Sequence, residues 1–254
     1  MDRPPMAPPG VAALLGLGVP AERLERLSAA LRLPLWRPGD LPGDHPGDSG
    51  TPTRAAAPVL ALLDGLDTAE AAESWARPIA AWIEVGTLSD AALGDAAGRA
   101  RRADLFAFLT TATANHIHLA ARIVRAITDL HPLPEAQRDD MELALHEAVS
   151  NALVHGNLQV EGMKGLSVAA LERFSQDLAA RLADPAYANR RIELAVWLEA
   201  DGILVEVSDE GPGYARPEQM EFGASGRGLD MIAAIAEELQ LLDGGRRIRM
   251  RFPL

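Results

Sequence analysis

The sequence predicts two domains, a parallel α/β domain over residues 11–102 followed by an α+β domain over residues 103–254. Three observations support this fold class. The chain has 254 residues, which is more than a single hydrophobic core usually serves. Apolar strands alternate with helices in the first part, which is typical of a parallel sheet. The second part combines helices with strands of alternating polarity, which predicts helices on one face of a mixed sheet.

The first domain follows a β/α order after a proline-rich stretch, residues 1–10, that we expect to be disordered. Its predicted strands cover residues 11–18, 33–36, 58–67 and 79–86. Its predicted helices cover residues 20–31, 68–76 and 90–102. Residues 37–54 are rich in Gly, Pro and Asp, so they predict a loop.

The second domain opens with a predicted strand over residues 103–111, although this strand could belong to either domain. Its predicted helices cover residues 115–130, 136–155 and 228–239, and a further helix lies in the insertion 158–190. Gly156 is a natural C-terminal cap for the second of these helices. Two hairpins complete the domain, one turning at Asp201-Gly202 and the other at residues 243–245.

Composition restricts the classes of partner. The formal net charge is -12 and the pI is about 4.9, so the chain repels phosphate backbones and anionic lipid. We therefore expect neither nucleic acid nor a membrane as a main partner. The absence of cysteine excludes disulfides and thiol catalysis, and it suits a cytoplasmic protein.

The first candidate motif is "LALHEAVSNALVHGN" at residues 143–157. Glu147, Asn151 and His155 are spaced by four residues, so on a regular helix they share one face. A carboxylate beside an amide oxygen can hold a hydrated Mg²⁺ and orient a hydroxyl or a water molecule. Taken alone, such a stripe is more often a solvated helix face.

The second candidate motif is "VSDEGPG", where Asp209 ends a strand and Gly211 and Gly213 flank a proline. A backbone without side chains lets a flat ligand approach, and a carboxylate there can accept a hydrogen bond from an exocyclic amine. A plain Gly-Pro turn is the alternative interpretation.

The third candidate motif is "GASGRGLDMI", in which Gly226 and Gly228 precede a predicted helix. Free N–H groups and the helix dipole at such a position suit a polyphosphate, and Arg227 could add a positive charge. A glycine-rich loop before a capped helix is the alternative interpretation.

Taken together, the three motifs resemble the GHKL ATP-binding fold of gyrase-type topoisomerases, histidine kinases and mismatch-repair ATPases. "HEAVSNALVHGN" looks like the N box, "DEGPG" like the first glycine box and "GRGLDMI" like the second. The resemblance covers about residues 104–254. Within this fold, the "HGN" ending and the short segment between Gly213 and Gly226 resemble the anti-sigma-factor serine kinases of bacterial partner-switching systems.

The resemblance implies a cofactor set of ATP and Mg²⁺ and a role for each matching residue. Asn151 would bind the metal, and Glu147 would be the general base on a serine hydroxyl or water. Asp209 would bind the adenine amino group. The other residues that would bind the nucleotide are Gly211 and Gly213 at the adenine and Gly226, Arg227, Gly228 and Leu229 on the phosphate side.

The resemblance further implies an ATP-dependent serine/threonine kinase that phosphorylates an antagonist protein, sequesters a sigma factor and forms a homodimer. A non-catalytic, ATP-switched binding module is the alternative, although Glu147 favours the kinase because a pure binder needs no base. A histidine kinase is less favoured. His116 and His118 lack the acidic motif that usually follows a phosphoaccepting histidine, and their helix resembles the first helix of the ATP fold itself.

The first domain is similar to a response-regulator receiver domain, with Asp64 in the position of the phosphoaccepting aspartate. The first strand, however, ends without the acidic pair that binds Mg²⁺ in receivers. The only lysine, Lys164, lies far downstream. We therefore expect a degenerate receiver that serves in docking or dimerisation.

Overall fold

The computed structural model describes residues 10–37, 57–162, 165, 167–213 and 227–254. The proline-rich N-terminus and most of the predicted Gly/Pro/Asp loop lie outside the described residues. The chain divides into two compact units between Phe106 and Ala107. This division falls inside strand β4, Leu105–Thr110, which the sequence analysis assigned to either domain.

Unit 1 alternates strands and helices, as the sequence predicts, but the helix predicted over residues 68–76 is a short α-helix that begins at Leu66 and is followed by a 3-10 turn. Its elements are β1 (Ala13–Leu17), α1 (Ala21–Leu31), β2 (Val59–Leu63), α2 (Leu66–Glu70), a 3-10 turn (Ala72–Trp75), β3 (Ile79–Glu84) and α3 (Asp90–Ala100). β2 lies between β1 and β3 and is parallel to both. Both β2 and β3 are buried along their whole length, which is why they read as continuous apolar runs.

The predicted strand over residues 33–36 is wrong. Only Leu35 pairs, through an isolated parallel bridge to Leu14 of β1. On its other side, β1 pairs with β2, where Leu14 lies opposite Leu60. Pro34 has no N–H to donate, which limits how far this pairing can extend.

Two tryptophans stack on each other in the core of unit 1. The rings of Trp75 and Trp82 are stacked, with centroids 4.3 Å apart and planes 18° apart. Each indole N–H is satisfied by a backbone carbonyl, at 2.8 Å to Ala69 and at 2.6 Å to Ser74. The pair therefore buries large apolar surface without leaving a polar group unpaired.

Unit 2 combines helices with an antiparallel sheet. Its elements after β4 are α4 (Thr111–His116), α5 (Leu119–Leu130), α6 (Glu135–Ser150), a π-helical segment (Asn151–Asn157), α7 (Val168–Ala183), α8 (Pro185–Ala188), β5 (Arg191–Leu198), β6 (Gly202–Asp209), α9 (Arg227–Ile235), β7 (Glu238–Leu242) and β8 (Arg247–Pro253). The strand order within the unit is β5-β6-β8-β7.

Both predicted hairpins are confirmed, because β5 pairs with β6 and β7 with β8 in antiparallel register. Alternate residues of these strands point into the core and are less than a tenth exposed: Ile192, Leu194, Val196, Ile203, Val205, Val207, Ile248, Met250 and Phe252. On the opposite face Glu206 forms ion pairs with Arg247 and Arg249, at 3.1 and 2.5 Å. The alternation of apolar and polar residues that predicted these strands thus arises because successive side chains point to opposite faces of the sheet, one in the core and one that carries the ion pairs.

Two predicted helices have different bounds in the structure. The helix predicted over residues 115–130 is two helices, because His118 adopts a left-handed conformation with a φ of 54°. The helix predicted over residues 228–239 ends at Ile235. The N–H of Glu237 donates to the carbonyl of Arg251 instead, so the chain joins the sheet at that point.

None of the described helices is long and apolar enough to cross a bilayer.

Candidate functional site

Helix α6 presents Glu147 beside Asn151 at the edge of its buried face. The apolar stripe that fixes the rotation of this helix is buried, as predicted, and consists of Met141, Leu145, Ala148 and Ala152. Glu147 and Asn151 are half-buried, and the Asn151 amide donates to Glu147 Oε1 at 3.2 Å. Because Nδ2 makes this bond, Oδ1 is the atom of Asn151 that could serve as an oxygen ligand.

The helix does not end at Gly156, so the predicted glycine cap is wrong. From Asn151 to Asn157 it widens into a π-helical segment, and Gly156 does not adopt a positive φ. A π-helical turn contains more residues than an α-helical turn, so residues after Asn151 lie on different faces from those that a 3.6-residue period predicts. The periodicity of the sequence gives no sign of this change.

His155 is exposed, whereas Glu147 and Asn151 are half-buried. Its Nδ1 lies 2.8 Å from the carbonyl of Val160, which makes that nitrogen the donor.

Asp209 is held at the end of β6 by bonds on two sides. Its N–H donates to the carbonyl of Arg246 at 3.0 Å, and its Oδ1 accepts from the N–H of Gly211 at 2.7 Å. The carboxylate faces Gly156, where an added Cβ would lie 2.5 Å from Asp209 Cγ. The N box and the first glycine box therefore meet at Gly156 and Asp209.

Burial raises the pKa of the Asp209 carboxyl from its ordinary value of 3.8 to about 6. The hydrogen bond from Gly211 and the charges of Arg246 and Arg190 oppose the rise, whereas the charge of Glu210 adds to it. Desolvation is the largest of these effects, so the site keeps a carboxylate in a poorly hydrated place. Such a group is ready to accept a hydrogen bond from a ligand that replaces the missing water.

Gly211 and Gly213 are required by the protein's own packing. A Cβ on Gly211 would overlap the backbone carbonyl of Gly156. A Cβ on Gly213, whose φ is 88°, would overlap the carbonyl of Gly244. At these two positions a missing side chain was expected to let a flat ligand approach. The space that a Cβ would occupy there is filled by backbone of the protein itself.

The second glycine box is described only in part. Gly226 and the side chain of Arg227 lie outside the described residues, while the backbone of Arg227 begins α9. A Cβ on Gly228 would overlap Glu147 Oε1, so this glycine leaves room for the carboxylate. Leu229 is half-buried in the first turn of α9. Glu147 thus lies where the N box meets the start of this helix.

Asn157 is a residue of the site region to which the sequence analysis gave no role. It is fully buried, and its side chain bonds to three elements of unit 2. The "HGN" ending of the N box was the only signal, and nothing in that pattern tells a buried asparagine from a polar helix end.

These residues fit an adenine nucleotide with Mg²⁺. Asp209 offers a desolvated acceptor, and α9 offers the N–H groups of a helix start, a position that suits an anion. Glu147 and Asn151 offer oxygen atoms. Among the described residues no group of three acidic or histidine side chains could hold a metal unaided. Mg²⁺ usually takes few protein ligands and completes its shell with water and phosphate oxygens.

The comparison with protein families concerns the same region. The model of the histidine kinase-like ATPase domain matches residues 110–252, which is more than half of the chain. The chain belongs to this family. The histidine kinase-like ATPase domain thus runs from the end of β4 into β8 and contains all three motifs. No curated protein matches the chain.

Membership has direct consequences for fold and ligand. The sheet and helices of unit 2 are compatible with the GHKL-type fold of histidine kinase-like ATPase domains, and the family supports ATP binding by this module. Kinase or ATPase chemistry that uses ATP is the activity that the family suggests. His116 and His118 lie inside the matched range, so they belong to the ATPase domain itself.

Proposed function

We propose that the protein is an ATP-dependent serine/threonine protein kinase that controls an antagonist protein in a partner-switching system and sequesters a sigma factor. One observation carries the catalytic part of this proposal. Glu147 is hydrogen-bonded to Asn151 and fits against Gly228 at the start of α9. The position suits a base that works between the metal ligand and the phosphate-side helix.

Each residue of the site has a role in the proposed transfer. Asp209 accepts a hydrogen bond from the adenine amine, and the N–H groups at the start of α9 face the phosphates. Asn151 holds Mg²⁺, which when bound neutralises phosphate charge. The serine oxygen forms a bond to the γ-phosphorus, and Glu147 accepts the proton of the serine hydroxyl. The bond from the γ-phosphorus to the β,γ-bridging oxygen breaks at the same time, and ADP leaves.

The alternative is an ATP-switched binding module without catalysis. An intact carboxylate at position 147 favours the kinase, because nucleotide binding alone needs no proton acceptor. The histidine-kinase reading is disfavoured, because His116 ends α4 and His118 is the left-handed residue before α5, both within the ATPase fold.

The test incubates the purified chain with labelled ATP, Mg²⁺ and candidate antagonist proteins encoded near its gene. We expect acid-stable label on one antagonist. Glu147→Gln should lose at least about a hundredfold of the transfer rate, since general-base catalysis contributes about 10² to 10⁴. Glu142→Gln, an exposed position on the same helix, is the matched control and should transfer normally.

Each alternative has its own outcome in this test. Tight ATP binding without transfer to any candidate would contradict the kinase and favour the switch module. Acid-labile label on the chain itself would favour a histidine kinase. Co-purification of a sigma factor and the mass of the free chain in light scattering test the proposed sequestration and homodimer.

For unit 1 we propose a degenerate receiver that serves in docking or dimerisation. The parallel order in which Leu35, β1, β2 and β3 follow one another supports a doubly wound, receiver-like arrangement. Asp64 follows β2 and is exposed, and the residue that follows β1 beside it is Gly18 rather than an acid. We expect acetyl phosphate to leave Asp64 unlabelled, and a stable acyl phosphate there would contradict degeneracy.

A further inference from the structure

The buried residue Asn157 connects three separate elements of unit 2 through its side chain. Its Nδ2 donates to Thr111 Oγ1 at 2.8 Å, at the start of α4, and to the carbonyl of Arg191 at 2.9 Å, at the start of β5. Its Oδ1 accepts from the N–H of Glu210 at 2.7 Å, immediately after β6. Both donor hydrogens and the acceptor oxygen of the amide are thus used.

These bonds fix the backbone next to Asp209. Glu210 is held through its N–H by Asn157, and its side chain accepts from the N–H of Arg191 at 2.8 Å. Asp209 itself donates to the carbonyl of Arg246. The peptide that carries the Asp209 carboxylate is therefore anchored on both sides.

The residue before Asn157 determines where that carboxylate lies. Gly156 has no side chain, and the space that a Cβ would need is taken by the Asp209 carboxyl group. Both residues lie at the end of the π-helical segment, so the widened turn directs Gly156 towards Asp209 and Asn157 into the core. Gly156 and Asn157 together thus set the position and the orientation of the Asp209 carboxylate.

A different side chain could not make the same connection. Aspartate has the shape but lacks the two donors, and serine is too short to reach three partners. Alanine would remove this partner from the partly buried N–H of Glu210 and from the buried carbonyl of Arg191, which favours a shift of the β6 end.

We propose that Asn157 is a positioning residue for base recognition, which places the Asp209 carboxylate where it accepts the exocyclic amine of adenine. This inference rests on the proposed adenine contact of Asp209. Asn157 itself does not touch the nucleotide. The preference of the site for adenine over a purine that lacks the amine nevertheless depends on it.

The test compares the affinities for ATP and for purine riboside triphosphate, which carries hydrogen in place of the amino group. The full-length chain is used as the wild type and as Asn157→Ala, Thr111→Val and Val196→Ala. Val196 is fully buried in β5, four residues from Ile192, the residue that pairs with Asp209. It serves as a control for loss of stability without loss of the network.

We expect the wild-type chain to bind ATP at least about tenfold more tightly than the analogue, because a site that hydrogen-bonds an amine rejects a ligand that lacks it. Asn157→Ala should remove most of this preference by weakening ATP alone. Thr111→Val keeps the bond between Asn157 and Glu210, and it should remove part of the preference for ATP. This variant carries the test if Asn157→Ala does not fold. Val196→Ala should lower the melting temperature and leave the preference unchanged.

Two results would overturn the inference, and they are distinguishable. If the Asn157 and Thr111 variants keep the wild-type preference, or weaken both ligands equally in step with their melting temperatures as Val196→Ala does, Asn157 is only structural and the adenine contact stands. If the wild-type chain shows no preference, the adenine contact of Asp209 fails, and the role of Asn157 fails with it.

Discussion

Asp209 combines two demands that conflict with each other. A carboxylate in a poorly hydrated place destabilises the free protein when it is ionised, yet the ionised form is the stronger acceptor for the adenine amine that we propose it binds. Its pKa of about 6 is the result of this conflict. Sites that bind ligands often accept such a cost in stability, and the cost predicts how variants behave.

The first prediction replaces this charge. Asp209→Asn keeps the shape and the acceptor for Gly211 but removes the buried charge, so the free protein should become more stable at pH 8. Since burial raises the folded-state pKa, the favourable contribution of Asp209 is complete below about pH 4 and is lost as the pH rises through about 6. We expect a gain on the order of 1 kcal/mol, because the group is partly solvated and solvent screens its charge.

Thermal unfolding of both proteins from pH 4 to pH 8 measures this gain. The two melting temperatures should converge at the acid end and separate as the pH rises. At neutral pH the variant should bind ATP at least about tenfold more weakly, since it turns an amide towards the amine. A variant that is less stable than the wild type at pH 8 would contradict the proposed cause of the pKa shift.

The second prediction concerns ligand affinity as a function of pH. ATP affinity should fall as the pH drops below about 6, because protonated Asp209 is a weaker acceptor for the amine than the charged carboxylate is. Purine riboside triphosphate carries the same phosphates, so it corrects for their own protonation. Isothermal titration of both ligands between pH 5 and pH 8 measures the difference, which parallel curves would refute.

At the level of elements, the π-helical segment joins the two halves of the site. The same continuous helix carries Glu147 and Asn151 at one place and Gly156 at another, where it contacts Asp209. The proposed catalytic and base-binding residues are therefore connected through one continuous helix instead of through a loop.

The third prediction tests the close approach at Gly156. Gly156→Ala would place a Cβ 2.5 Å from Asp209 Cγ, so either the carboxylate or the helix must shift. We expect a loss of about 1–3 kcal/mol in stability, as for overpacking elsewhere, together with weaker ATP binding. Gly98→Ala in α3 is the control. A Cβ there meets no atom within 4 Å, so this variant should gain about 0.5–1 kcal/mol.

Chemical denaturation of both alanine variants, with ATP affinity measured alongside, gives the comparison. If Gly156→Ala behaves like Gly98→Ala in both measurements, the contact between the N box and Asp209 does not require a glycine at position 156.

The fourth prediction separates chemistry from binding at α9. Gly228→Ala would place a methyl group on the Glu147 carboxylate, which is the end of a flexible side chain and can rotate away. Folding should therefore be nearly unchanged. Phosphoryl transfer should fall by about the factor expected for Glu147→Gln, roughly a hundredfold or more. Single-turnover transfer rates and the melting temperature together decide whether Glu147 acts from this position.

Local sequence patterns predicted these elements unevenly. Alternation in β5, β6 and β8 and the stripe from Met141 to Ala152 foretold the strands and the buried face of α6, because both patterns arise from burial on one side. They could not foretell the left-handed break at His118 or the π-helical segment. Both depend on tertiary contacts, and a window of neighbouring residues contains no information on such contacts.

The same limit applies to the packing around the glycines, whereas their predicted role in nucleotide binding stays a prediction. Gly211 and Gly228 stand in motifs that a single sequence can reveal. Their neighbours in space are Gly156 and Glu147, which lie more than 50 residues away along the chain, so the cause of the missing side chains became visible only in three dimensions.

For the whole molecule, the fifth prediction concerns which parts respond to nucleotide. At a concentration a hundred times its dissociation constant, MgATP should stabilise the binding unit by about 2.7 kcal/mol, because it binds only the folded state. Hydrogen exchange of the full chain should slow in residues 147–157 and 209–213, where the site lies. Protection that appears only in β1, β2 and β3 of unit 1 would place the nucleotide elsewhere.

The distribution of tryptophan in the molecule has a practical consequence for such measurements. Three of the four indoles, Trp36 and the stacked pair Trp75 and Trp82, belong to unit 1, and only Trp197 belongs to unit 2. The chain thus carries separate optical reporters for its two units. Replacing Trp197 with phenylalanine leaves emission from unit 1 alone, and the difference spectrum follows unit 2. Intrinsic fluorescence can then tell whether the units melt together or in sequence, without any attached dye.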